Sequence, residues 1–182
     1  MATTDNLYCY LSMILYSGNK YVFVGAGASG KDHAKKLAIG YGFKPDVSYT
    51  TRPARSGEVD GVDYHFISMD KFNEMISNDE FIQWNEFGNG HKYGTSKKSW
   101  AENDIFIIDP KTMNKLGRQF FYDRIIVFFN IPERIRRARL ERRQDSNDSI
   151  DRRIQTDKKD FVGFKIWDVE ISDSDFELGF IS

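Results

Sequence analysis

One short segment restricts the possible folds of this chain more than any other. Lys20–Val24 is an apolar run rich in β-branched and aromatic residues, and it leads into Gly25-Ala26-Gly27-Ala28-Ser29-Gly30-Lys31-Asp32. Beyond it Ala34, Leu37, Ala38 and Tyr41 recur at helical spacing, and Gly40 and Gly42 close that pattern. Strand, glycine turn and helix in this order are the setting in which a GxxxxGK segment cradles phosphate. The glycines let the backbone turn sharply, so that successive N–H groups converge on one anion. The helix adds the positive end of its dipole, and Lys31 adds a point charge. The position after such a lysine is normally Ser or Thr, whose hydroxyl holds Mg²⁺; here it is Asp32. A carboxylate can hold Mg²⁺ directly or through water, but it brings a further negative charge beside the phosphates.

The rest of the chain alternates strand and helix patterns without internal repeats, which predicts an α/β fold with a parallel sheet at its core. Ile105–Ile108 and Ile125–Phe129 are continuous apolar runs, as expected of strands covered on both faces. Asp109 ends the first of them, where a carboxylate beside the phosphate cradle holds Mg²⁺ or its waters. Asp70 is the expected cap of a helix carrying Phe72, Met75 and Ile76. Glu133–Arg143 and 149–160 read as helices joined by a polar loop over 144–148. Strict alternation over Phe81–Phe87 puts Phe81, Gln83, Asn85 and Phe87 on one face, and Ile82, Trp84 and Glu86 on the other. Leu7, Leu11, Ile14 and Leu15 share a helical face, so the segment up to Gly18 reads as a helix packed on the body of the protein. Its apolar run is far below the roughly 20 residues of a membrane span, and it lacks the marks of a signal peptide. A net charge of −1 gives no general field to recruit nucleic acid or an anionic membrane. The one cysteine, Cys9, excludes a disulfide framework and fits a cytoplasmic setting. His33, His65 and His91 lack metal-ligand spacing.

A second, longer motif is more specific. Ser48-Tyr-Thr-Thr-Arg52-Pro-Ala-Arg55-Ser-Gly-Glu58, continuing through Tyr64 to Phe66, closely resembles the guanylate kinase family, as does Tyr93-Gly94-Thr95-Ser-Lys-Lys98. The resemblance runs from about Lys20 to Asp173. It implies a P-loop three-layer fold, with core segments 20–46, 100–136 and 156–182, a small mixed subdomain over 47–99 for a nucleoside monophosphate, and a mobile lid over 137–155. It also implies the activity of a nucleoside monophosphate kinase, with ATP held by residues 25–32 and Mg²⁺ near Asp32 and Asp109. Ser48, Arg52, Arg55, Tyr64, Gln83, Tyr93, Thr95 and Lys111 fall where the family holds its acceptor. Arg139, Arg143 and Arg153 fall where it places lid arginines, with Arg142 and Arg152 as rival positions. The chemistry agrees: two anions must be brought together, which needs fixed cations, and Arg52 and Arg55 can fork onto phosphate oxygens. No metabolite beyond these nucleotides, no nucleic acid and no membrane is implied, and a monomer or homodimer is expected.

Two positions depart from the family. Gln83 and Lys111 stand where carboxylates read the guanine N1–H and 2-amino group, whereas Ser48 and Thr95, facing the O6 edge, are kept. An amide offers one acceptor and one donor, so it matches guanine through one bond fewer, and uracil, thymine or adenine edges also suit it. (d)GMP remains the first expectation; another or modified nucleotide, or a protein-binding module without catalysis, are the alternatives. The adenine-side Asn of the family corresponds to Ser172.

Overall fold

The computed structural model describes residues 13–86, 90–143, 149–176 and 178–181. Cys9 and the 144–148 loop lie outside them, as does Phe87. The chain divides into two compact units: one up to Phe43 and from Ile105 onward, the other Lys44–Asp104.

The first unit is built on a parallel sheet in the order β7 (Ile105–Ile107), β2 (Lys20–Gly25), β8 (Arg124–Phe129), β9 (Val169–Ile171). Tyr21 through Val24 are all fully buried, which accounts for an unbroken apolar run where a half-exposed strand would alternate. Tyr21, Phe23, Val127 and Phe129 pack with Ala34 and Ala38 of α1 (Lys31–Gly40). The alternate residue Phe128 meets the rings of Phe161, Phe164 and Trp167. α4 (Pro110–Leu116), a 3₁₀ turn over Arg118–Phe121, α5 (Glu133–Arg143) and α6 (Ile150–Asp160) complete this unit.

Leu7 and Leu11 lie outside the described residues, and the described end of the N-terminal segment differs from the helix its periodicity predicts. Met13–Tyr16 is a strand, β1, paired in parallel with β10 (Leu178–Ile181). Leu15 is fully buried in the main core, and the Tyr16 N–H donates to Tyr21 Oη at 2.8 Å. The reason is tertiary: β10 offers unpaired backbone groups, and ladder pairing outweighs a weak local helical pattern.

The second unit is a mixed sheet in the order β4 (His65–Phe66), β3 (Tyr49–Thr50), β6 (Lys92–Ser96), β5 (Phe81–Glu86), with α2 (Met69–Ser77) and α3 (Lys97–Glu102). α2 is capped by Ser68, whose side chain accepts from the Lys71 N–H at 3.1 Å; Asp70, the expected cap, sits in the first turn. β5 carries a register shift between Phe81 and Gln83. The extra residue turns Phe81 onto the face of Trp84, where Phe72 stacks at 4.5 Å, so Phe81 and Gln83 do not share a face as strict alternation predicts. Gly94 lies under that cluster: a Cβ there would stand 2.8 Å from the Phe81 ring. The bulge leaves Gln83 and Asn85 opposite Thr95 and Tyr93 across the ladder.

Candidate functional site

In the first unit the glycine segment joins β2 to α1. Gly30 caps the helix at φ 102°, and Ala28 is held at φ 60°, a conformation costly for a residue with a Cβ. Gly25 has no room for one either, since it would stand 2.9 Å from Phe129. Lys31 folds over the turn, its Nζ donating to the carbonyls of Gly25 at 2.6 Å and Ala26 at 2.9 Å. The Gly27 N–H points at a negative oxygen, Asp157 Oδ2 at 3.0 Å, which shows the polarity the loop offers. Asp157 in turn accepts from Arg136 at 2.8 Å, a buried arginine that also donates to Ile131 O. Arg139 donates to Ala28 O at 3.1 Å and Ser174 O at 2.7 Å, so it reaches the turn. Arg153 is half-buried and Arg142 and Arg152 are exposed; the Arg143 side chain lies outside the described residues. Sequence reasoning missed Arg136 and Asp157, because helical spacing alone gives no sign that they meet the turn across more than a hundred residues.

Asp109 accepts from the N–H of Thr112 at 2.9 Å and from its hydroxyl at 2.7 Å, capping α4 with both oxygens. Lys111 follows in the same first turn. Burial, then the charge of Asp109, pushes the Asp160 carboxyl above its usual range, and Lys111 works against that shift. Among the described residues no group of three or more His, Cys, Asp and Glu forms a metal cage. Asp32 opens α1 beside Lys31, which suits a carboxylate meeting an ion delivered on phosphates, the way Mg²⁺ is usually held. Ser172 is exposed just past β9.

In the second unit the sequence-predicted residues form two groups. At one, Arg52 is buried and donates through Nε to Tyr93 Oη at 3.1 Å, while its guanidinium lies 5.4 Å over the Tyr64 ring. Its fork, however, grips Glu58: Nη1 to Oε2 and Nη2 to Oε1, both at 2.8 Å, with Pro53 O at 2.7 Å. The fork expected to meet phosphate is thus closed on a carboxylate of the same motif. Glu58 also accepts from the Arg55 N–H at 2.7 Å, so Arg55 is anchored through its backbone while its side chain stays exposed. Burial raises the Glu58 pKa, but the bonds from Arg52 and Arg55 outweigh it and hold it below its usual value.

At the other group, Gln83 Nε2 donates to Thr95 Oγ1 at 2.9 Å, and Ser48 Oγ lies 3.4 Å from the same oxygen. A buried carboxylate, Asp46, joins them, accepting from Ser48, Thr95 and Ser99. Neither Glu58 nor Asp46 was singled out from the sequence, although Glu58 lies inside the long motif.

Comparison with known proteins bears on this arrangement. The guanylate kinase family model matches residues 17–180. The chain belongs to the guanylate kinase family. Among curated relatives, a guanylate kinase of Caulobacter vibrioides is 34% identical over 142 residues, 74% of this chain and 66% of that protein. One from Geobacter metallireducens is 41% identical over 59% of this chain and 56% of its own length. One from Polaromonas is 31% identical over 89% of this chain and 82% of its own. The chain thus spans less than two thirds of the first two. The fold is that of a solved guanylate kinase structure from Anaplasma phagocytophilum, with a TM-score of 0.62 at 24% identity over 85% of this chain and 77% of that one. No helix among the described residues is long and apolar enough to cross a membrane.

Proposed function

We propose that the protein transfers the γ-phosphoryl group of ATP to GMP or dGMP, giving ADP and the nucleoside diphosphate. The observation that carries this reading is the joint presence of a lysine-bearing phosphate turn and of a separate arginine–tyrosine cluster with an amide-lined neighbour, in a chain of this family.

In this reading the N–H groups of residues 25–31 and Lys31 hold the ATP phosphates. Asp32 and Asp109 are the carboxylates that would hold Mg²⁺ brought with ATP, which would offset the charge of the phosphates. Arg55, Tyr64 and Tyr93 hold the acceptor phosphate, and Arg52 adds the Nη2 hydrogen that is not given to Glu58; Ser48, Gln83 and Thr95 hold the base. An acceptor oxygen, already anionic, forms its bond to the γ-phosphorus as the bond to the β–γ bridging oxygen breaks, and that oxygen leaves on ADP. No general base is required, so catalysis is positioning and charge neutralisation. Arg139, Arg143 and Arg153 supply the lid cations. Thr112 orients the Asp109 carboxylate by donating to both of its oxygens. The chain acts in the cytoplasm as a monomer or homodimer; its single cysteine is consistent with that compartment.

The test is ADP production from ATP across a panel of ribo- and deoxyribonucleoside monophosphates, with Lys31→Ala as the blank. Preference for GMP or dGMP supports the reading. Preference for another base assigns Gln83 and Lys111 a changed specificity, and absence of turnover with every acceptor overturns the kinase reading in favour of a binding module.

A further inference from the structure

Asp46 is more than nine-tenths buried, and three hydroxyls converge on it: Ser48 Oγ and Ser99 Oγ at short range, and Thr95 Oγ1 at 3.4 Å. A carboxylate only accepts hydrogen bonds. Each hydroxyl has one hydrogen, and spending it on Asp46 leaves only lone pairs for other neighbours. Two of the three then meet a side-chain amide, and in both cases the amide donates: Gln83 Nε2 to Thr95 Oγ1 at 2.9 Å and Asn103 Nδ2 to Ser99 Oγ at 2.7 Å. The direction of these two amide bonds follows from the one buried charge.

The consequence lies at Gln83. One of its two Nε2 hydrogens is committed to Thr95, which fixes the orientation of the amide and leaves Oε1 as its acceptor for a ligand. We infer that Asp46 is a positioning residue for base recognition, which through Thr95 fixes the Gln83 amide as a hydrogen-bond acceptor for a ring N–H. This rests on the kinase reading above, in which Gln83 faces the base. The favoured class is a nucleotide with an imino N–H, which guanine, hypoxanthine, uracil and thymine carry. Adenine and cytosine present a bare ring nitrogen there, and two acceptors then oppose each other. Oε1 serves one donor well, so the guanine 2-amino group adds little, and IMP stands close to GMP.

The experiment titrates GMP, IMP and AMP calorimetrically into the full-length protein and into Asp46→Asn and Thr95→Val. Steady-state kinetics are measured in parallel, and melting curves verify folding. The amide that Asp46→Asn introduces can donate to Thr95 and reverse the relay, and Thr95→Val removes its middle link. The expected result is GMP and IMP binding within about 10-fold of each other and each about 10- to 100-fold tighter than AMP in the wild type. In both variants that gap closes, the KM for the monophosphate rises, and the KM for ATP is unchanged. Thr95→Val serves if Asp46→Asn does not fold. Retention of the GMP-to-AMP gap in a folded variant overturns the inference, as does a parallel change in both KM values, or wild-type affinity equal for GMP and AMP. If GMP binds and the variants lose discrimination but no turnover occurs, the kinase reading fails and the relay stands; if no nucleotide binds, both fail.

Discussion

In the proposed reading, the glycine turn of the first unit and the side-chain network of the second meet their nucleotides in opposite ways. In the turn the recognising groups belong to the backbone, and the residues matter for what they permit: Gly30 for its φ of 102° and Gly25 for its closeness to Phe129. In the Lys44–Asp104 unit the groups proposed to recognise the nucleotide are side chains, several of them held by a partner remote in sequence. Arg52 is held by Tyr93, and Thr95 by Asp46, across intervals of 41 and 49 residues. A backbone site tolerates almost any side chain that fits; a side-chain network depends on every member, because leaving one buried partner unmatched costs about 1–3 kcal/mol. The turn should therefore fail at its lysine and glycines alone, whereas the network should fail in graded ways.

The largest effect is expected at the turn. Lys31→Ala should lower kcat by about 10³-fold with little change in melting temperature, since an electrostatic contact to transferring phosphate is worth that much. A melting temperature that falls in step with kcat would blur the contrast. In the network, Arg55→Ala should raise the KM for the monophosphate by about 10-fold or more, leaving stability and the ATP KM alone. Arg52→Ala should do the same and also cost about 1–3 kcal/mol of stability, because it strands Glu58. Equal stability of the two arginine variants by denaturant melting would contradict the fork drawn here.

A sharper probe concerns Gln83. Gln83→Glu gives Thr95 two carboxylate neighbours and a single hydrogen to share. Binding of GMP should weaken by about 10-fold in that variant and recover when Asp46→Ser is added, a coupling read from a double-mutant cycle. Additivity of the two changes would separate Asp46 from Gln83.

Smaller effects follow from charge. Glu58 titrates below its unfolded value, so its stabilising share is fully present above the ordinary glutamate range near 4.5 and is lost as pH falls through the lower folded value. Glu58→Gln should flatten the acid limb of the stability profile between about pH 5 and the acid transition. Asp160 shifts the other way: its cost exists above its raised folded pKa and vanishes below the ordinary aspartate value. Asp160→Asn should stabilise the protein near neutral pH by at most about 0.5 kcal/mol, with no gain in acid; Lys111→Ala should have the opposite sign.

Lys111 illustrates how structure changes a reading. By resemblance it marks a lost base-reading carboxylate. In its own unit it lies in the field of Asp160, where it works against the shift that burial and Asp109 cause. Local charge balance thus gives the lysine a reason to be there besides base specificity.

The elements with strong period were legible from the sequence. The strand into the phosphate turn, the helix behind it, the apolar parallel strands and Glu133–Arg143 all stand where pattern puts them, because both the hydrophobic period and the glycine conformations are local properties. The long motif likewise named Arg52, Tyr64, Tyr93 and Thr95. Tertiary structure decided the rest. It made Met13–Tyr16 a strand, because β10 supplied a ladder that no local pattern reveals. It turned Phe81 away from Gln83 through a bulge that one inserted residue creates. It closed the Arg52 fork on Glu58 and gathered Ser48, Thr95 and Ser99 around Asp46. A sequence states which donors and acceptors a chain owns; which of them are buried together, and therefore which way each hydrogen must point, is fixed only when the sheet brings distant segments within bonding distance.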